Sequence, residues 1–260
     1  MKKSRNLKRK TLNSSPNQIS QIKGGSKVKK IIVFLLFLSS FQAFSYTNGI
    51  DSVIREQKYQ ALFGQKALGQ KDQKDLQLFL KSCDDSFSSR QEAAKFFAEK
   101  GWEYLGEGKL DTAAFRFNYV NALDANSVEA YWGLGVISFN RKDNELAIKL
   151  LEKGLSLDST QSNLRVDLAT VKLSCYQNQQ ACGDLKEVEE LLAKSLHQDA
   201  NNANAWMKRC QVAYYSGKIE DAWTYFHQCR QLDILQLDIN FSQFLLEKMP
   251  DPKGFFKLKE

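Results

Sequence analysis

The chain has 260 residues, 43% of them apolar, with five cysteines and two histidines, enough apolar side chain to bury a core and to exclude a disordered or fibrous chain. Its formal net charge of +7 points to nucleic acid or to a membrane surface only if the positive residues cluster on the folded part. They do not: residues 1–45 hold ten of the 37 Lys and Arg and no Asp or Glu, and the 27 that remain face 30 acidic residues, a net of −3, so no nucleic-acid partner is expected.

Those first 45 residues read as a basic stretch ending at Lys29-Lys30, an apolar run from Ile31 to Phe44 and a small-residue step at Ala43-Phe44-Ser45. That is the layout of a secretory signal. Its unbroken apolar part, Ile31 to Leu38, is short of the roughly 18 to 20 residues that span a bilayer. Cleavage after Ser45 is therefore expected, with a mature start at Tyr46 and no membrane span after cleavage. No Cys follows the apolar run until Cys83, so a lipid anchor is not indicated. Residues 46–88 are expected as an N-terminal arm: a Gln-rich, weakly patterned stretch to about residue 70, then a short helix over Asp72–Cys83 carrying Leu76, Leu78, Phe79 and Leu80.

From Ser89 onward apolar residues recur at helical spacing, opened by Ser89-Arg90-Gln91-Glu92, the pattern of a capping box. The segment is also self-similar. With Ala94 as position 1, Gly101 falls at position 8, Tyr104 at 11, Gly108 at 15, Ala113 at 20 and Phe117 at 24. Thirty-four residues later the register returns, with Tyr131 at 4, Leu134-Gly135 at 7 and 8, Ala147 at 20 and Leu151 at 24. A later unit has Trp206 at 4, Gly217 at 15, Ala222 at 20 and Phe226 at 24, with Cys210 in place of the glycine at 8. Small residues at 8 and 20 let two helices of a hairpin approach, and large ones at 4 and 24 fill the remaining space.

These residues resemble the tetratricopeptide repeat, a helix-turn-helix unit of 34 residues. The resemblance covers about residues 94–236 and implies an all-α, right-handed superhelix of about four hairpins: 94–127, 128–161, 162–202 and 203–236, within an array spanning 89–236. The family's usual proline at position 32 is replaced by Ala125, Ser159, Ala200 and Ile234. The third unit fits only if seven extra residues lie between its helices, over Cys175 to Gly183. Cys175 and Cys182 bracket this polar segment and are expected either as a disulfide closing a small loop at the hairpin end or as buried thiols; Cys210 and Cys229 are expected as buried thiols. Residues 237–260 are expected as a C-terminal capping helix, Asp238–Met249, with Ile239, Phe241, Phe244 and Leu245 on its apolar side, and a tail after Pro250-Asp251-Pro252.

No chemistry-bearing motif is present. His197 and His227 are the only histidines and fall in different units, and there is no His-Glu-x-x-His, phosphate loop, Cys-x-x-Cys or Gly-x-Ser-x-Gly. The chain is therefore expected to be no enzyme and to take no metal and no cofactor. In the family the first helices of the units line an inner groove. The resemblance places Trp102, Leu105, Trp132, Val136, Phe139, Val166, Met207, Tyr214 and Tyr215 there, an apolar and aromatic stripe lacking the Lys and Asn set with which some members clamp a carboxylate. Two occupants are open: a protein or peptide partner, or the chain's own arm through Tyr59, Leu62 and Phe63. The expected function is a non-catalytic protein-binding scaffold exported to the periplasm or envelope of a bacterium. The alternative is an assembly subunit that self-associates as a homo-oligomer or docks on an envelope complex.

Overall fold

The computed structural model of the chain describes residues 56–256. The segment read as a signal, 1–45, and the arm residues 46–55 lie outside the described residues. Ten α-helices follow one another: α1 (Gln70–Ser86), α2 (Arg90–Gly106), α3 (Leu110–Leu123), α4 (Val128–Asn140), α5 (Asn144–Leu157), α6 (Ser162–Gln177), α7 (Leu185–Gln198), α8 (Ala203–Tyr215), α9 (Ile219–Leu232) and α10 (Ile239–Lys248). No described residue is in a strand. Helices α2 to α9 form four hairpins, and each first helix also touches the first helix of the next hairpin, so the array is a helical solenoid.

Local chemistry sets the ends of these helices. The Ser89 hydroxyl accepts from Glu92 N–H at 3.1 Å, while the Glu92 carboxylate reaches back to Ser88 N–H at 2.9 Å, one residue earlier than the sequence pattern predicts. Asp143, Asn202 and Asp238 cap α5, α8 and α10 in the same way, each accepting from an amide N–H at 3.0 Å. The hairpin turns at position 15 pass through the left-handed region, with Gly108 at φ +74°, Gly217 at +75° and, in the second unit, Lys142 at +66°. In the third unit α6 runs longer and the left-handed residue is Gln179, at +56°.

Packing follows the register. Ala113, Ala147, Val188 and Ala222 at position 20, and Phe117, Leu151, Leu192 and Phe226 at position 24, are all fully buried. Position 8 must be small because position 24 lies against it. A Cβ on Gly101 would meet the Phe117 ring at 2.7 Å, and one on Gly135 would meet Leu151 at 2.8 Å. The Phe117 ring also occupies the space beside Gly133 of α4, where a Cβ would lie 2.3 Å away. A single ring thus joins two hairpins.

The missing prolines have a structural substitute. At each junction the side chain at position 4 donates to the carbonyl at position 32 of the preceding unit: Tyr131 Oη to Ala125 O at 3.1 Å, Arg165 Nη2 to Ser159 O at 2.5 Å, and Trp206 Nε1 to Ala200 O at 2.9 Å. Arg165 stands where an aromatic is expected. Burial holds its guanidinium below the usual arginine range, and Gln198 supplies a second acceptor.

The described arm residues, from residue 56 on, do not line the groove. Two 3-10 turns, Gln57–Tyr59 and Ala61–Gln65, lie on α3 and the start of the α4–α5 turn. Asn118 Nδ2 donates to Lys58 O at 2.9 Å and Gln60 O at 2.7 Å, Arg141 Nη1 to Tyr59 O at 2.9 Å, and Ala61 is buried. Tyr59 meets Phe115 edge-on at 6.1 Å, and Phe63 sits beside Phe115 and Tyr119. The helix that follows is longer than expected, Gln70–Ser86, and stacks Phe79 on Tyr119.

At the other end, α10 buries Phe241, Ser242 and Leu245. Ile239 and Phe244 flank that stripe and are 52% and 50% exposed, so the cap does not present a purely polar outer face. The tail folds back onto α9. Trp223 Nε1 donates to Met249 O at 3.2 Å, Phe256 packs on Trp223 and Phe226, and buried His227 Nε2 lies 2.8 Å from buried Asp251. Asp251 also accepts from the amides of Lys253 and Phe255.

Candidate functional site

The inner face is built from α2, α4, α6 and α8, and its residues divide by depth. Val166 and Met207 are 1% and 2% exposed, core residues and not groove-lining ones. Both occupy position 5, as do Ala98 and Trp132. That position points into the seam between adjacent first helices, which accepts Ala, Val or Met entirely, whereas an indole is too long and its ring emerges. Leu105, Val136 and Phe139 are partly buried along the same face. Tyr214 and Tyr215 are covered by the capping helix: Tyr214 meets Phe241 at 5.2 Å and Tyr215 meets it at 6.2 Å, with Tyr176 on the other side of Tyr215 at 5.9 Å.

What remains open is the first half. Trp102 and Trp132 meet edge-to-face at 5.2 Å and 73°, and Trp102 rests on Phe117 at 5.1 Å. Each indole N–H is tied into the following hairpin, Trp102 Nε1 to Glu129 Oε2 at 2.5 Å and Trp132 Nε1 to Asp167 Oδ2 at 2.6 Å. With their polar atoms satisfied, the rings offer apolar faces and edges. Beside them Ala94 and Ala98 leave α2 thin, and the gap between α2 and α4 is a cavity of about 470 Å³ lined by these four residues with Lys95 and Glu129 among others.

The second half is polar. Gln211 Nε2 donates to Asp238 at 3.2 Å. Lys208 faces both Asp167 and Asp238, and burial holds its ammonium below the usual lysine range against the pull of those carboxylates. Burial likewise pushes the Asp167 carboxyl above the usual carboxylate range, with the Trp132 N–H and Lys208 opposing it. Sequence reasoning missed Asp167 and Lys208 because both sit at position 6, between the positions read as groove-lining.

At the turn of the third hairpin the Sγ atoms of Cys175 and Cys182 are bonded, with their Cα atoms 5.5 Å apart. Cys83, Cys210 and Cys229 are buried free thiols, and burial pushes Cys229 up to about 11. Among the described residues no group of three or more His, Cys, Asp or Glu is arranged to hold a metal ion, and no helix is long and apolar enough to cross a membrane.

No protein-family model matches the sequence, and no curated protein matches it. Solved structures do match. PilF of Pseudomonas aeruginosa superposes with a TM-score of 0.53 at 21% identity, over 61% of this chain and 70% of that one. TTC0263, a thermophilic TPR protein of Thermus thermophilus, superposes with a TM-score of 0.50 at 15% identity, over 62% and 94%. With the 34-residue register and the helix pairing above, the described residues form an all-helical solenoid of tetratricopeptide-repeat type. The likeness to these structures is one of fold.

Proposed function

We propose that the chain is a non-catalytic scaffold that holds a protein or peptide segment against its inner face, at the half formed by α2 and α4. The observation that carries this reading is the open cavity of about 470 Å³ walled by Trp102 and Trp132. Aromatic rings with their N–H groups already satisfied favour an apolar or aromatic contact, and such anchors dominate the energetics of protein interfaces. The described part of the arm, hydrogen-bonded to Asn118 on α3 and to Arg141 at the end of α4, does not line this cavity. Export to a bacterial envelope is part of the proposal; the basic and apolar pattern of residues 1–45 and the Cys175–Cys182 bond support it, since disulfides persist in oxidising compartments.

The test is chemical crosslinking in intact cells followed by identification of the crosslinked protein, with the native chain and with Trp102→Ala. The scaffold reading expects one dominant partner whose yield drops about tenfold in the variant, the scale of losing an interface anchor. A yield unchanged in a folded variant would contradict it.

A second reading, self-assembly, is favoured by one observation. Ile234, Leu235, Ile239 and Phe244, all within the last described elements of the array, have exposures of 56%, 87%, 52% and 50%, and exposed large apolar side chains at the end of a stack offer a surface for contact. Native mass measurement at rising concentration tests it: a dimer that Leu235→Glu disperses supports assembly, and a monomer throughout removes it.

A further inference from the structure

The cavity between α2 and α4 has a charge pattern that its aromatic walls alone do not explain. Around it stand three carboxylates, Glu99 on α2, Asp124 in the loop before α4 and Glu129 in the first turn of α4, against one ammonium, Lys95. Elsewhere on the described surface some carboxylates are paired with cations, as in Asp84 with Arg90, Glu103 with Lys100 and Glu189 with Arg209, and none of the paired ones lines this cavity. The three at the cavity take part in no ion pair among the described residues, and Lys95 takes part in none either. Glu129 accepts only from the Trp102 indole, and Asp124 from the Asn126 amide. The rim is thus left with an excess of negative charge beside two indoles set at 73° to each other.

Two perpendicular indoles next to unpaired carboxylates are the elements of a cation site. The face of an indole carries negative potential and attracts an ammonium or guanidinium within about 6 Å, more strongly as the pair is desolvated. Glu129 holds the edge of Trp102 at its N–H, which leaves the ring faces unused by that bond, and ring face and carboxylates attract the same sign of charge. A guanidinium suits the place best, being planar, weakly hydrated and able to stack on a ring while its N–H groups reach a carboxylate. An acidic or phosphorylated segment would meet like charge.

We propose that this pocket receives an arginine, or less tightly a lysine, of a basic protein segment, with the cationic head against Trp102 and Trp132 and within reach of Glu99, Asp124 and Glu129. The proposal rests on the reading of the inner face as the docking surface and specifies the chemistry of its occupant. The chain's own basic residues 1–30 are a different occupant, which the test separates from a partner.

The experiment titrates the full chain, by fluorescence anisotropy, with four labelled peptides of equal length that differ at one central residue: arginine, lysine, leucine or citrulline, the neutral isostere of arginine. The expected order is arginine, then lysine, with citrulline about tenfold weaker than arginine, the scale of a partly desolvated cation–π contact plus its ion pair. Lys95→Glu and Glu99→Lys change exposed residues of α2 that cap nothing, so they alter charge without touching the core. The arginine peptide is expected to bind about threefold tighter to the first and about threefold weaker to the second, while the leucine peptide is unaffected by either.

Outcomes separate the two readings. If arginine and citrulline bind equally, and both are lost in Trp102→Ala, the cation site is overturned and the groove stands. If arginine binding is insensitive to Trp102→Ala and Glu99→Lys, it occurs elsewhere and the proposal is overturned. If no peptide binds to the full chain or to the chain beginning at Tyr46, both readings fall. Binding of arginine that appears only when the chain begins at Tyr46 supports the cation site and identifies residues 1–45 as its competitor.

Discussion

The two halves of the inner face share one register and differ in nearly everything that a ligand would meet. In the first half position 5 holds Ala98 and Trp132, so the seam is narrow on one helix and carries a projecting indole on the next. In the second half the same position holds Val166 and Met207, both buried, and the surface above them is amide and charge, closed at its end by α10. The fold therefore does not by itself make a groove. One oversized residue at a position that otherwise belongs to the core turns the seam into the wall of a cavity, and the next hairpin secures it through a carboxylate.

The largest expected effect breaks the first half. Phe117 fills the gap between Gly101 and Gly133 and supports Trp102, so Phe117→Ala is expected to destabilise by about 4 kcal/mol in urea unfolding, the range of a large ring removed from a closed core. Next is the second half, where the Cys175–Cys182 bond closes a separation of seven residues and holds Tyr176 against Tyr215. Cys175→Ser with Cys182→Ser is expected to lower stability by about 2 kcal/mol through the lost restraint on the unfolded chain, leaving peptide binding at Trp102 unchanged in the same titration.

Smaller and opposite in sign is Lys142→Gly, in the turn between α4 and α5. Lys142 holds φ +66° where the first and fourth units have glycine, and relieving that conformation is expected to stabilise the chain by about 1 kcal/mol in the same urea experiment.

The smallest effects are pH dependences of opposite sign in the two regions. Asp167 has its folded pKa raised by burial, so the folded form binds the proton more tightly than the unfolded one, and stability falls as pH rises from the unfolded value of about 3.9 through the folded value. Asp167→Asn, retaining an acceptor for Trp132, is expected to remove that fall. At the C-terminal tail burial holds the folded pKa of His227 below the usual range, against the pull of Asp251 and with Lys253 and Arg230 adding to the burial effect. Its contribution is complete above the unfolded value of about 6.5 and is lost as pH falls from there toward the folded value. Protection of the amides at residues 249–256, measured relative to the intrinsic exchange rate at each pH, is expected to fall on mild acidification, and His227→Gln to flatten that response.

Most of the fold was legible because packing needs particular sizes at particular places. Gly101, Gly135, Ala113, Ala147, Phe117 and Leu151 announce the hairpins, and the extra residues of the third unit announce its long turn. The junctions were less so. Position 32 lacks proline, and what replaces it is a carbonyl receiving Tyr131, Arg165 or Trp206, a contact that leaves no mark on the residue whose carbonyl is used. The arm's course was hidden for the same reason, since Asn118 and Arg141 bind the backbone of Lys58, Tyr59 and Gln60 and not their side chains. Within the inner face Trp102 and Trp132 could be named from register, but Val166 and Met207 could not be told apart from Trp132, because position 5 is core or surface according to the side chain it carries. The exposed Ile239 and Phe244 on α10 illustrate the same limit: apolar type alone does not say which edge of a helix is covered.

The most direct test of the account is photocrosslinking in intact cells from two places on the inner face, Gln91 beside the open cavity and Asn204 in the polar half, using a photoreactive residue at each. The account predicts that a partner segment is captured from Gln91 and not from Asn204, and that Trp102→Ala abolishes the capture. Equal capture from both places, or capture from Asn204 alone, would contradict it.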